Sequence, residues 1–314
     1  MSRRFAIDDM FMKSSNGKVY EGEPINKLIN WKERSQLLSA IQFLTLYSDD
    51  EFKPICIFAE QFDHIYFLSR LFPKLKFHVY NSQLQSNKRI TNFEENLNDK
   101  TVNKYLEQES LLFFGNYDFP DYETTEREMF TRRRLFEKDT PKFLIKEVRK
   151  ETINKYNNEI NKYLVLQQSL LMAINPDHAF LTFSLPYSKN DDIVINYLSG
   201  SVFRIPYVGG SHFTMLKPER DENGFYFTKN WSSKSYKEMA KQFITMKEYS
   251  KFGEVLDHPE LLDDYDSALE HFILKNYLRK FGEKERDAKL ISRAITEELN
   301  DNVEDEISLS IVRG

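Results

Sequence analysis

The chain contains little glycine and almost no cysteine for its length. Its 314 residues include 10 glycines and one cysteine, Cys56. A single cysteine cannot form an internal disulfide, and it excludes a metal site built from several cysteines. The six histidines do not recur with carboxylates at metal-ligand spacing. No apolar run reaches the roughly 18 residues that a membrane-spanning helix needs. We therefore expect a soluble protein of a reducing compartment, the cytoplasm, that binds no metal and no membrane.

Glycine is also absent from the place where a nucleotide-binding fold would most need it. Residues 54–68 read P-I-C-I-F-A-E-Q-F-D-H-I-Y-F-L, which predicts a short strand, a tight turn and a helix, the usual beginning of a dinucleotide- or S-adenosylmethionine-binding unit. A cofactor can approach the backbone of such a turn only where side chains are small. The turn here consists of Phe58, Ala59, Glu60, Gln61 and Phe62. We expect its bulky side chains to fill or close the pocket.

The remaining pattern predicts a single large domain with additions. Hydrophobic periodicity indicates helices over residues 31–47, 65–72, 160–174, 236–249, 265–278 and 288–299, and strands over 55–58, 76–80, 110–114, 179–183, 202–205, 213–216 and 225–227. This order predicts an α/β, Rossmann-like fold with a mostly parallel central sheet flanked by helices. We divide the chain into an N-terminal arm (1–30), the domain (31–300) with a charged, irregular insertion (about 117–156), and an acidic tail (301–314).

Four short segments, which we call phrases, stand out along the chain. They are H-I-Y-F-L (64–68), N-K-Y-L-V-L-Q-Q-S-L-L-M-A-I-N-P (161–176), L-T-F-S-L-P-Y (181–187) and Y-D-S-A-L-E-H-F-I-L (265–274). With this order and spacing, the chain resembles the poxvirus mRNA cap-specific 2'-O-methyltransferases that also serve as the processivity subunit of the viral poly(A) polymerase. The resemblance extends from about residue 20 to 299. It implies an S-adenosylmethionine-dependent methyltransferase fold.

The resemblance also implies a Lys-Asp-Lys-Glu tetrad, in which a neutral lysine activates a ribose hydroxyl. The four places fall on Ser35, Asn116, Thr182 and His212, none of which supplies the needed chemistry. In a shifted register, the nearby Lys32, Asp118 or Lys217 could serve. The acidic residue that would hold the cofactor ribose is replaced by Asn81. We therefore expect no cofactor, or S-adenosylmethionine if the register is wrong.

Two further features bear on RNA. By resemblance, Tyr20 and Tyr187 occupy the places of the two rings that stack on 7-methylguanosine, although lysines stand where acidic groups should meet the guanine edge. The net charge of −5 gives no general attraction to nucleic acid. Residues 132–155, however, hold nine Lys or Arg against four acidic residues. The candidate phosphate-binding residues are Arg132, Arg133, Arg134, Lys142, Lys146, Arg149 and Lys150.

These observations favour one function and leave two alternatives. The first is a non-catalytic pseudo-methyltransferase that acts as a regulatory or scaffold subunit in viral mRNA processing, with a poly(A) polymerase or capping catalytic subunit as protein partner and with some RNA contact. The second is an active cap 2'-O-methyltransferase. The third is a stand-alone RNA- or cap-binding module. The expected location is the cytoplasm, or the viral factory or virion if the protein is viral.

Overall fold

A seven-stranded sheet forms the centre of the protein, in the order β3-β2-β1-β4-β5-β8-β7. A separate two-stranded sheet pairs β6 with β9. The computed structural model describes residues 31–48, 54–106, 108, 110–119, 142–186, 193–206, 214–236, 238, 265–282 and 287–299. The strands are β1 (Ile55–Phe58), β2 (Lys76–Val79), β3 (Ile90–Asn92), β4 (Leu111–Gly115), β5 (His178–Phe183), β6 (Val194–Leu198), β7 (Gly200–Arg204), β8 (Thr214–Pro218) and β9 (Thr228–Ser232).

Five neighbouring strands of the large sheet, β3, β2, β1, β4 and β5, run parallel. Strand β8 is antiparallel to both β5 and β7. The helices are α1 (Trp31–Tyr47), α2 (Ile65–Leu71), α3 (Lys142–Ile174), α4 (Tyr265–Lys280) and α5 (288–299). The expected α/β fold, with a mostly parallel sheet flanked by helices, is thus confirmed.

Each face of the sheet is covered by its own core. Helices α1, α2, α4 and α5 contribute to one cluster, together with Phe58, Phe77, Phe114 and Phe180. Helix α3 covers the other face, where Tyr156, Ile160 and Leu164 share a cluster with Phe113 and Leu181. Successive residues of a strand point to opposite faces, so the continuous apolar runs of β1 and β4 can supply both cores at once.

Two predictions about local structure are wrong. Residues 142–155 are not irregular, because they form the first part of α3, which begins at Lys142 and continues for 33 residues. Residues 225–227 form only an isolated bridge at Tyr226, and the strand follows at 228–232. Strands β3 and β6 were not predicted. The three residues of β3 are too few to show alternation, whereas β6, with the sequence V-I-N-Y-L, is an apolar run that was missed.

No helix in the described ranges is long and apolar enough to cross a membrane. The helix α3, although long, carries charged and amide side chains along much of its length. The arm, most of the insertion before α3 and the acidic tail lie outside the described residues.

A buried ion pair joins three helices on one face of the sheet. The guanidinium of Arg34 in α1 donates to both carboxylate oxygens of Glu270 in α4, at 2.9 and 2.6 Å. It also donates to the hydroxyls of Ser292 and Thr296 in α5, each at 3.0 Å. Both charged side chains are fully buried. Because a buried ion pair must recover a large desolvation cost, its value lies in fixing how the three helices meet.

A second charged cluster lies where α2 begins. His64 is almost fully buried, and its Nε2 lies 3.3 Å from Glu33 of α1 while its Nδ1 lies 3.7 Å from Glu298 of α5. Arg70 also bonds Glu298, at 2.8 Å. Burial lowers the pKa of His64, but its contacts with Glu298 and Glu33 outweigh burial and raise that pKa to about 9. The contact with His64 in turn lowers the pKa of Glu298.

This cluster predicts a loss of stability at alkaline pH. The pKa of His64 is about 9 in the folded chain, against 6.5 as its ordinary value. The stabilisation is therefore complete below pH 6.5 and is lost as pH rises through 9, by up to about 1.4 kcal/mol per pH unit in between. We expect urea unfolding of wild type and His64→Leu to show a stability difference that shrinks as pH rises from 6.5 to 9. A difference independent of pH would contradict a charged His64.

Candidate functional site

The candidate site lies at the carboxyl ends of β1 and β4, the two central strands. From β1 the chain proceeds outward to β2 and β3 on one side, then returns to place β4 and β5 on the other. In open parallel sheets, ligands bind at such a switch point, outside the carboxyl ends of the strands. The residues in question are the turn after β1 and the segment that follows β4.

In the glycine-free turn after β1, the two phenylalanines lie in the core, and the polar side chains lie at the edge of the sheet. The rings of Phe58 and Phe62 are 4.8 Å apart, and both are buried in the core cluster that includes α1 and α2. Both rings also pack against Phe114 of β4, with ring centroids 5.1 and 6.3 Å away. Polar side chains add further bridges at this edge of the sheet.

The amide of Asn116 ties the end of β4 to the turn after β1. Its nitrogen donates to the carbonyl oxygens of Glu60, at 3.2 Å, and Gln61, at 3.1 Å. Its oxygen accepts from the backbone N–H of Glu60, at 3.1 Å. A neutral amide has two donor hydrogens and an acceptor oxygen. It can therefore bond both the carbonyl oxygens and the N–H of this turn, whereas an ionised carboxylate could only accept.

A second bridge joins the ends of β1 and β2. The amide nitrogen of Asn81 donates to the carboxylate of Glu60, at 2.7 Å. Asn81 has a φ of 49°, in the left-handed region that asparagine tolerates better than most residues. The resemblance implied an acidic group at Asn81, and the acid at this edge comes from Glu60 instead. Sequence reasoning did not identify this bridge, although the charged residue in the turn was visible.

Three of the four tetrad places lie in the described residues, and all three donate hydrogen bonds to backbone carbonyls. The hydroxyl of Ser35 donates to the carbonyl of Pro206. The hydroxyl of Thr182 donates to the carbonyl of Gly115, at 3.0 Å, and Asn116 bonds the turn. The fourth place, His212, lies outside the described residues. Each side chain thus connects two separate segments of the chain, and none is poised as a base.

Ser35, Asn116 and Thr182 line one pocket that opens to the solvent. Its empty space, counted out to the solvent, is about 400 Å³. At its rim, the ammonium of Lys32 lies 2.6 Å from the carboxylate of Asp118, and both side chains are more than half exposed. The pocket is lined by Lys32, Ser35, Gln36, Ser39, Phe114, Asn116, Tyr117, Asp118, Thr182, Ile205 and Met215. The structure therefore brings together the three tetrad places that it describes and two of the three suggested substitutes.

The third substitute, Lys217, lies elsewhere. Its ammonium is 5.5 Å from the ring of Tyr47, at the far end of α1.

The phenol of Tyr117 in the pocket is buried, and burial together with the charge of Glu60 raises its pKa above the ordinary value. It therefore stays neutral. In the part of the chain that the structure describes, no group of three or more His, Cys, Asp or Glu side chains could hold a metal ion.

The predicted RNA-contacting residues are only partly described. Tyr20, Tyr187, Arg132, Arg133 and Arg134 lie outside the described residues, and only the backbone of Lys142 is described. Lys146, Arg149 and Lys150 are exposed near the beginning of α3. They are not part of the pocket.

Restoring an acid at Asn116 should destabilise the protein. In Asn116→Asp, an ionised carboxylate faces two carbonyl oxygens that it cannot satisfy, at a cost of about 1–3 kcal/mol in the free energy of unfolding. Asn116→Ala should cost a similar amount, but only the aspartate variant should recover stability at low pH, where its protonated form donates again. Denaturant unfolding across pH measures this. The exposed Asn103→Asp is the control, and equal stability of both aspartate variants would refute the structural role of Asn116.

Neither a comparison with protein-family models nor one with curated proteins finds a match for this chain. The resemblance described above therefore rests on its four phrases.

Proposed function

We propose that this protein is a non-catalytic, methyltransferase-like subunit, a pseudo-methyltransferase. The observation that carries the proposal is the set of hydrogen bonds that Ser35, Asn116 and Thr182 donate. Each donates to a backbone carbonyl of another segment. A general base needs a lone pair and a pKa near the working pH. A serine, an amide and a threonine in structural hydrogen bonds supply neither.

The topology supports the methyltransferase part of the proposal. The sheet is open and mostly parallel, with its switch point between β1 and β4. One antiparallel strand, β8, lies between β5 and β7. Fold alone does not fix function, since one fold supports many activities. The proposal of lost activity therefore rests on the site.

The turn after β1 supports loss of the cofactor. In a working site, the backbone here must be open to the ribose and carboxylate of the donor. In this protein Glu60 is bonded to Asn81 on one side, and its backbone is bonded to Asn116 on the other. A cofactor would have to break these contacts before it could bind in the usual place.

A second candidate function, an active cap 2'-O-methyltransferase, is favoured by one observation. Lys32 and Asp118 form an ion pair at the rim of the pocket that contains the tetrad places. Their contact also weighs against this function. An ammonium bonded to a carboxylate has no lone pair with which to accept a proton, and Thr182 leaves the place of the central lysine without an amine.

Cofactor binding separates the two functions. We expect titration calorimetry of the purified protein with S-adenosylmethionine to show no heat of binding up to millimolar cofactor, and an assay on capped RNA to show no methyl transfer. Micromolar binding would overturn the proposal. If transfer were observed, its loss in Lys32→Ala but not in the exposed Lys88→Ala would assign the reaction to the pocket.

The regulatory role requires a protein partner. By resemblance, that partner is a poly(A) polymerase or a capping catalytic subunit. We expect co-expression with the polymerase encoded by the same genome to yield a stable complex in size-exclusion chromatography, and the complex to extend poly(A) tails further than the polymerase alone. If the polymerase neither binds this protein nor extends poly(A) tails further in its presence, the regulatory role is excluded. The stand-alone RNA- or cap-binding module then remains as the hypothesis to test.

A further inference from the structure

The small sheet of β6 and β9 has an edge that no other strand of the described residues covers. The inner face of this sheet is fixed to the core, because Tyr197 stacks on Phe183 at 5.6 Å and Trp231 packs against the same ring at 4.8 Å. Its outer face is exposed at Asn196 and Asn230. The core therefore holds the sheet in place while the side of β9 stays open.

The hydrogen-bond pattern shows which backbone groups of β9 point to that open side. At one end of the ladder, the N–H of Ser233 donates to the carbonyl of Ile193, at 2.9 Å. Bonded and non-bonded pairs alternate along an antiparallel ladder. Thr228, Asn230 and Ser232 thus belong to the non-bonded pairs and direct both N–H and C=O away from β6. None of these groups has a partner among the described residues.

The opposite edge of the small sheet, along β6, is better covered. The indole N–H of Trp231 donates to the outward carbonyl of Leu198, at 3.0 Å. Strand β6 also lies beside α3, where the hydroxyl of Tyr197 donates to the side chain of Gln167, at 2.8 Å. The edge that is available for another strand is therefore that of β9.

We propose that β9 pairs with β9 of a second copy of this chain, antiparallel about a twofold axis, so that the two small sheets join into one sheet of four strands. Donors and acceptors spaced at every second residue match an extended strand. In this arrangement Asn230 faces Asn230 of the second copy, and Thr228 faces Ser232. The proposal goes beyond the proposed function and uses no residue of the pocket, so the two stand or fail separately.

The side chains of the inner face favour this register. Lys229 comes to lie opposite Trp231 of the second copy, and in its own chain its ammonium already lies 4.1 Å from the centre of the Trp231 ring. A shift of two residues in one direction would place the two copies of Lys229 opposite each other, and like charges so placed destabilise a strand pair. A shift in the other direction would leave Thr228 beyond the end of the second strand.

The amides of the outer face favour a second copy over an unrelated strand. The side-chain nitrogen of Asn196 donates to the side-chain oxygen of Asn230, at 3.2 Å, across the two strands. The side-chain nitrogen of Asn230 has no partner among the described residues. In the four-stranded sheet it faces the same amide of the second copy, and each amide can donate to the oxygen of the other. A row of asparagines then crosses all four strands without placing any charge at the contact.

Sedimentation equilibrium of the full chain tests the proposal. We expect a reversible monomer–dimer equilibrium between about 1 and 200 μM protein, because a single strand pairing is at the small end of specific interfaces. Asn230→Pro removes an outward N–H from each copy and leaves the bonds between β6 and β9 in place. It should raise the dissociation constant about tenfold or more. Asn230→Ala, which keeps the N–H, is the matched control for loss of the side chain and should weaken the dimer less.

Crosslinking checks the register and does not depend on the proline variant. The only native cysteine, Cys56, is buried. In the proposed dimer the two copies of position 230 are about 5.5 Å apart, whereas those of position 196 are about 14 Å apart. A short bismaleimide should therefore link Asn230→Cys into a covalent dimer but not Asn196→Cys, which is exposed on the neighbouring strand. A chain that remains monomeric up to about 200 μM, a folded Asn230→Pro that dimerises like wild type, or equal crosslinking of the two cysteines would overturn the proposal.

Discussion

The hydrogen bonds of one amide, that of Asn116, decide what the centre of this protein can do. A parallel sheet whose chain order reverses between β1 and β4 leaves a crevice at their carboxyl ends. In this protein the crevice is crossed by three hydrogen bonds between Asn116 and the turn after β1. An amide can make this set because it both donates and accepts. Asn116, at a place where the resemblance implies an acid, thus holds the turn in position.

Two neighbouring side chains of the pocket also hold separate segments together. Ser35 fastens α1 to the segment after β7, and Thr182 fastens β5 to the end of β4. Elsewhere, buried charges such as those of Arg34 and Glu270 fix how helices meet. What remains open is a pocket with an exposed ion pair, Lys32 with Asp118, at its rim. Such a surface can contact a ligand or a partner without performing a reaction.

Sequence patterns predicted the regular elements well where packing is continuous. The helix over 31–47 and the strand over 55–58 match the structure residue for residue, because their apolar residues are dense enough to fix both type and limits. The first half of α3 was missed because charged and amide residues hide its periodicity, and its stability comes from contacts with distant strands. At the site, the turn was identified from its lack of glycine, but the hydrogen bonds that Asn116 and Asn81 make to it were not, because these partners come from separate strands.

The sequence alone determined that this chain forms an α/β protein, and that the places which the resemblance assigns to a tetrad hold no lysine or carboxylate, because element order and residue identity can be read along the chain. Only the tertiary structure decided what those places do instead. Ser35 and Pro206, Asn116 and Glu60, and Thr182 and Gly115 are separated by 56 to 171 residues, and each pair meets across different elements. A hydrogen bond depends on distance and angle in space, which residue order does not encode for partners so far apart.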